Sequence, residues 1–315
     1  MRLRDWLTFL AALALATPTS HAADKLRVGK AVPEAFSFVP LDIGIAKGFF
    51  AKNNVEVESI GFAGDARMQQ AAAAGSIEIL LGSGPAMAFI AKGAPLKAVA
   101  AMAGPPLLLA IVVRPDGPKT AAELKGKKIG VSTAGSLTYW LVSETSRRQG
   151  WGPTGIDIKP MGAMPGQLAA MKRGDLDGSI MDIGNAFDLE KRGEGRILVR
   201  FTDLKDFHIH VIFATDTIIA ATPDAVRGFL EGWFETIAFM RANKADTVKI
   251  AMEVTAKDED ITSRSYDELM AMFSDDGKFN PKALALLAKS YVELKVLPTE
   301  PDPATLYTEA YLPKP

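Results

Sequence analysis

The chain has 315 residues, of which 48% are hydrophobic and 23% charged. That is the make-up of an ordinary globular protein, at a length that suits two domains. A formal net charge of −1 argues against nucleic acid as the main partner, and the absence of cysteine excludes disulfide staples and thiol chemistry.

Residues 1–22 read as a signal peptide. Arg2 and Arg4 precede a short apolar run from Trp6 to Ala16, and the small residues of Thr17-Pro18-Thr19-Ser20-His21-Ala22 follow. The run is shorter than the about 20 residues that span a bilayer. Cleavage is expected after Ala22, and losing Arg2, Arg4 and Asp5 would take the formal charge from −1 to −2. With no cysteine to carry a lipid, the mature protein is expected free in the periplasm. It is not expected to be membrane-inserted, because the next apolar run, Leu107 to Val113, is stopped by Arg114-Pro115.

From Asp24 onward, strand and helix patterns alternate. Leu26 to Val28 predicts a strand, Leu41 to Phe50 a helix, and the period-two run Val55 to Ile60 a strand. Asp65 is placed to cap a helix through Ala74, followed by strand Ile77–Leu81, the turn Gly82-Ser83-Gly84-Pro85 and a helix through Ala91. Strands at Val99–Met102 and Leu107–Val113 lead to a turn-rich break at Arg114-Pro115-Asp116-Gly117-Pro118. A second unit repeats the plan. Its strands are Lys128–Val131, Ile156–Lys159, Ser179–Ile183 and Ile197–Phe201, and its helices Leu137–Arg148, Gln167–Arg173 and Asn185–Lys191. A strand at His208–Phe213 follows, and Pro223 to about Glu293 is mainly helical. This alternation predicts an α/β fold of two lobes, each a mostly parallel sheet flanked by helices.

The second unit echoes the first. Ala71-x-x-x-Gly75-x-Ile77-Glu78 recurs as Ala170-x-x-x-Gly174-x-Leu176-Asp177, and the strands that follow end at Ser83 and Asp182.

On these blocks the chain resembles the periplasmic solute-binding proteins of the nitrate, sulfonate and taurine importers, which share the NMT1/THI5-like architecture. The resemblance is carried by Pro40-Leu41-Asp42-Ile43-Gly44-Ile45-Ala46-Lys47-Gly48-Phe49-Phe50, Val55-Glu56-Val57-Glu58, Ala74-Gly75-Ser76-Ile77-Glu78, Gly82-Ser83-Gly84-Pro85, Gly93-Ala94-Pro95-Leu96-Lys97 and Leu124 to Val131, in that order. It implies a type II binding-protein fold whose lobes close on a small-molecule ligand, and partnership of a monomer with an ABC permease and its ATPase. It also implies two interlobe crossings, expected near Val112–Pro115 and Phe207–Phe213. Lobe one would then comprise 23–113 plus 211–315, and lobe two 114–210. Some relatives in this fold group are thiamine-precursor synthases that depend on a cysteine-rich motif. That activity is not carried over to a chain without cysteine, and no cofactor is expected.

Ligands of open α/β sheets bind beyond the carboxyl ends of the strands, where helix N-termini suit an anion. Two loops fit, Gly82-Ser83-Gly84-Pro85 and Ser132-Thr133-Ala134-Gly135-Ser136-Leu137-Thr138. Ser83, Gly84, Ser132, Gly135, Ser136 and Thr138 are therefore candidate ligand contacts, with an anionic organic solute such as a sulfonate or carboxylate expected. In the loop after the first strand, Glu34, Phe36 and Phe38 are candidate contacts, the two phenylalanines to cover its organic part; plain packing of the phenylalanines is the alternative. Asp65 and Asp182 each have two open roles, helix cap or ligand contact.

Two other chemistries are open. Asp206, His208 and His210 alternate, as metal ligands on one strand face would. Ser132 sits in a strand-to-helix turn, so a serine hydrolase with His208 or His210 as base is the enzymatic alternative, although Ala134 replaces the second glycine of G-x-S-x-G. A sensory module for a membrane receptor is the third reading.

Overall fold

The computed structural model describes residues 23–201 and 203–314; the expected signal peptide lies outside them. In chain order the first half supplies β1 (Asp24–Lys30), α1 (Val39–Lys47), α2 (Phe49–Lys52), β2 (Val55–Gly61), α3 (Asp65–Ala73), β3 (Ile79–Ser83), α4 (Ala88–Ala91) and β4 (Leu96–Ala103). The middle supplies β5 (Leu109–Val113), β6 (Lys128–Val131), α5 (Leu137–Arg148), β7 (Asp157–Pro160), α6 (Met164–Arg173), β8 (Gly178–Asp182), α7 (Ile183–Lys191) and β9 (Arg196–Arg200). The last part is β10 (His210–Thr215), α8 (Asp216–Ala221), α9 (Pro223–Ala242), α10 (Lys244–Thr255), α11 (Glu259–Leu269) and α12 (Pro281–Glu293).

The strands form two five-stranded mixed sheets, ordered β2-β1-β3-β10-β4 and β7-β6-β8-β5-β9. The plan is the same in both. β1 pairs in parallel with β2 and β3, as β6 does with β7 and β8. The fourth strand runs antiparallel to both its neighbours and is the one that comes from across the molecule: β10 in the first sheet, β5 in the second. Those strands are the most completely covered. Every residue of β3, β5, β8 and β10 is buried, which explains the unbroken apolar runs Leu109–Val113 and Val211–Ala214, where an alternating pattern would mark one wet face.

The sequence echo is structural. Gly75 (φ +71°) follows α3 and Gly174 (φ +82°) ends α6, each in the left-handed conformation that closes a helix and turns the chain into the next strand. β3 and β8 then end at Ser83 and Asp182, and each of these side chains caps the helical turn that follows.

Two boundaries differ from the expectation. β5 pairs with β8 and β9, so Leu109–Val113 belongs to the second sheet, and the first crossing is Gly104–Leu108 rather than Val112–Pro115. The helical tail is not confined to the first lobe either. α9 packs on α1 and α2, but α11 packs on α7. α12 bonds to both lobes through adjacent residues. Ser290 Oγ accepts from Trp140 Nε1 of α5 at 2.8 Å, and Tyr291 Oη donates to Gly84 O at 3.2 Å. Among the described residues, no helix is long and apolar enough to cross a membrane.

Candidate functional site

The carboxyl ends of the parallel strands in both sheets face one another across a cavity of about 310 Å³. One wall comes from the segment after β1 (Ala31 to Phe38), the β2–α3 turn (Gly61 to Asp65) and Ser83 at the end of β3. The other comes from Ser132 and Ser136 to Thr138 after β6, Gly162 to Met164 after β7, and Asp182 at the end of β8. The crossing segments add Leu108 and Leu109 on one side and His210 on the other.

Eight of the expected contacts line this cavity: Glu34, Phe38, Asp65, Ser83, Ser132, Ser136, Thr138 and Asp182. Three do not. Phe36 turns away to pack against Phe273, ring centroids 6.4 Å apart. Gly84 N–H donates to Ile209 O, and its α-carbon is pressed against the His208 backbone, where a side chain has no room. Gly135, at φ +75°, faces Phe89 of the opposite lobe. Sequence reasoning passed over Ser37, Phe62, Met164, Gln167 and Met181, all in the wall. Ser37 lay inside the segment it had singled out.

Most of the donors proposed for an anion are already engaged. Ser83 N–H and Ser83 Oγ both donate to Asp65, at 2.9 and 3.0 Å. Gly84 N–H serves Ile209, Ser136 N–H serves Thr133 O, and Ser132 N–H serves Thr138 Oγ1. Ser132 Oγ donates to Ser136 Oγ at 3.1 Å and Ser136 Oγ to Thr133 O at 2.7 Å, and Thr138 Oγ1 closes the triangle at 3.0 Å from Ser132 Oγ and 2.8 Å from Ser136 Oγ. Asp182 accepts from Asn185 N–H and from its side-chain amide at 3.1 and 2.8 Å, so that helix end is occupied by its own carboxylate. Asp65 is not a cap. It is the first residue of α3, after Gly64 at φ +109°, and its carboxylate organises Ser83 instead.

The charge balance points the same way. Among the described residues the lining contains Glu34, Asp65 and Asp182 but neither lysine nor arginine. Burial raises Asp65 to about 6, against the pull of the Ser83 hydrogen bonds. Burial also raises Asp182 to about 6, with Lys257 pulling it down and Glu34 pushing it up. Burial lowers His210 to about 3, and its ring meets Phe38 edge-on at 4.8 Å.

The rims touch. Ala66 N–H of lobe one donates to Thr133 Oγ1 of lobe two at 3.3 Å. α3 has no side-chain cap of its own, because Gly64 stands at that position. A Cβ at Gly64 would lie 2.6 Å from the Thr133 side chain, which requires a glycine there in this closed arrangement.

The alternating triad disperses. Asp206 Oδ1 and His208 Nε2 both accept from Asn280, at 3.1 and 3.0 Å, while His210 belongs to the cavity wall. Because β10 begins only at His210, Asp206 and His208 precede the strand and the three residues share no face. Ser132 bonds to other hydroxyls and to no histidine.

A family described as NMT1/THI5 like matches residues 35–246, more than half the chain. Similar solved structures include a Bordetella bronchiseptica RB50 protein (23% identical, TM-score 0.79, covering 91% of this chain and 95% of that one). They also include the periplasmic aliphatic sulphonate binding protein of Escherichia coli (20%, TM-score 0.72, 90% and 92%) and the periplasmic nitrate-binding protein of Synechocystis PCC 6803 (15%, TM-score 0.72, 92% and 87%). A curated Haemophilus influenzae protein named for thiamine biosynthesis is 39% identical over 90 residues, a stretch that spans 28% of this chain and only 29% of that relative. The chain belongs to the NMT1/THI5-like family and has the two-lobed periplasmic binding protein fold.

Proposed function

We propose that this chain is an extracytoplasmic solute-binding protein that encloses a small organic molecule between its lobes and hands it to an ABC permease driven by its ATPase. The observation that carries the reading is one cavity walled by the strand ends of both lobes, with the rims already in contact. A ligand that touches both walls stabilises the closed arrangement by its differential affinity. The lobes would move about the crossings near 104–108 and 201–209. Export in free form to the periplasm follows from the leader-like residues 1–22, and N-terminal sequencing of the exported protein should begin at Ala23.

The lining favours a different ligand class from the anion expected from sequence. A wall with three carboxylates, no cation and the amides of Ser83, Gly84, Ser132 and Ser136 engaged disfavours a sulfonate or carboxylate. The ligand we propose is a neutral or cationic organic solute. No catalysis is assigned: Ser132 donates its proton to Ser136 rather than to a base.

A thermal-shift screen tests both halves, because binding to the native state raises the melting temperature by mass action. Amides, amines and neutral heterocycles should stabilise the protein, and alkyl sulfonates, nitrate and carboxylates should not. Stabilisation by the anions alone would reverse the ligand class. No stabilisation by any solute, together with ester turnover lost in Ser132→Ala, would replace the binder with a hydrolase.

A further inference from the structure

Among the described residues, five carry buried polar side-chain atoms without hydrogen-bond partners: Ser37, Gln69, Arg114, His210 and Trp233. Two of them, Ser37 and His210, line the cavity, both from lobe one. Ser37 comes from the short 3-10 turn ahead of α1; His210 is the first residue of β10, which arrives from the other lobe. Ser37 is 0% exposed and His210 7%, and Oγ and Nδ1 respectively lack any partner. Leaving such atoms unpaired destabilises a fold, and native proteins retain few of them. Both residues belong to the cavity wall, where a turn of either side chain toward an arriving molecule can satisfy its polar atom, while Gln69, Arg114 and Trp233 stand away from it.

The chemistry of the two atoms limits what can satisfy them. Burial disfavours the charged imidazole, so His210 presents one N–H donor and one ring-nitrogen acceptor. The Ser37 hydroxyl also both gives and accepts. A carboxylate or sulfonate can only accept, and an ammonium can only give. The complementary group is one that does both.

We infer that Ser37 and His210 form a subsite on lobe one that reads an uncharged hydrogen-bonding group of the ligand, of the carboxamide or N–H-bearing aza-aromatic kind. This rests on the solute-binding reading and adds to it the residues that select the ligand. Phe38, edge-on to the imidazole, holds the ring in place.

Three compounds of one shape and different charge test the assignment: benzamide, benzoate and benzamidine. Benzamide should raise the melting temperature of the wild type most. Its Kd should weaken about tenfold in His210→Phe and in Ser37→Ala, the loss of one well-made hydrogen bond. The unliganded variants should melt at or above the wild-type temperature, because each substitution removes an unpaired polar atom. His210→Gln, which restores an amide donor and acceptor, should recover part of the affinity. A merely structural role predicts the reverse, a lower unliganded melting temperature with benzamide affinity unchanged, and that result overturns the inference. So does a wild type stabilised by benzoate and not by benzamide, or by none of the three. If a different solute then stabilises it, the solute-binding reading survives; if none in the full screen does, that reading falls too.

Discussion

In lobe one, β3 ends at Ser83; in lobe two, the equivalent β8 ends at Asp182, and each side chain caps the turn that follows. From these matching positions the walls diverge. Lobe two engages its polar groups internally. Ser132, Ser136 and Thr138 bond to one another, and Asp182 bonds to Asn185. Lobe one fixes Ser83 with Asp65 and leaves Ser37 and His210 unpaired in the wall. A repeated scaffold thus sets where the walls stand, while the residues at the strand ends decide which wall has its polar groups paired and which leaves two unpaired.

The strongest way to break this comparison is to cut the tie between the lobes. Trp140 of α5 donates to Ser290 and packs on Phe207 of the second crossing at 4.6 Å. Trp140→Ala should destabilise the fold by about 3–5 kcal/mol, the range for a buried large aromatic. Urea unfolding followed by fluorescence and circular dichroism should split into two transitions if the lobes are separate folding units. A single, equally cooperative transition would make the two lobes one unit.

Next in size is the response to acid. Burial holds His210 near 3 and His208 near 4, below the usual histidine range, so the stability each contributes is complete above about pH 6.5 and drains away as pH falls toward those values. Asp65 and Asp182 act in the opposite sense. Raised to about 6, they contribute fully below about pH 4 and lose that contribution as pH rises through 6. Between pH 4 and 6 the two pairs oppose each other. His210→Phe removes one side of the balance, so relative to the wild type it should gain stability as pH falls from 6 to 4, by up to about 1.4 kcal/mol per pH unit. Parallel melting curves for the two proteins across that range would show that His210 is not buried neutral in solution.

The smallest expected effect lies at the rim. Thr133→Val removes the acceptor for Ala66 N–H, a helix-capping contact of about 1 kcal/mol, and should loosen ligand binding several-fold without lowering the melting temperature of the unliganded protein. Calorimetry and small-angle scattering measure the two sides. An unchanged Kd and an unchanged radius of gyration with ligand would mean that the rim contact plays no part in closure.

The alternation of strands and helices within each lobe, the two glycine-closed helices and most of the loops in the wall could be read from sequence, because alternation and turn residues are local signals. What could not be read depends on contacts distant in sequence. Leu109–Val113 is an apolar run with no mark of which sheet it joins, and only its pairing with β8 decides. Phe36 and Phe38 look alike two residues apart, but the tight turn between them sends one to Phe273 and the other to His210. The engagement of the Ser83 donors was hidden for the same reason. A helix end attracts an anion while its amides are free, and here a carboxylate 18 residues upstream in the chain had already taken Ser83.

The contact between Thr133 and Ala66 joins two residues that need never meet the ligand. Under the proposed opening of the lobes, the first turn of α3 would give up its borrowed acceptor, and water would have to replace it. The residence time of a bound solute would then be governed partly at the outer edge of the cleft, and selectivity inside it. On the proposed function, substitutions at position 133 would shift how fast the protein unloads without altering what it binds, so the two properties would be open to separate selection.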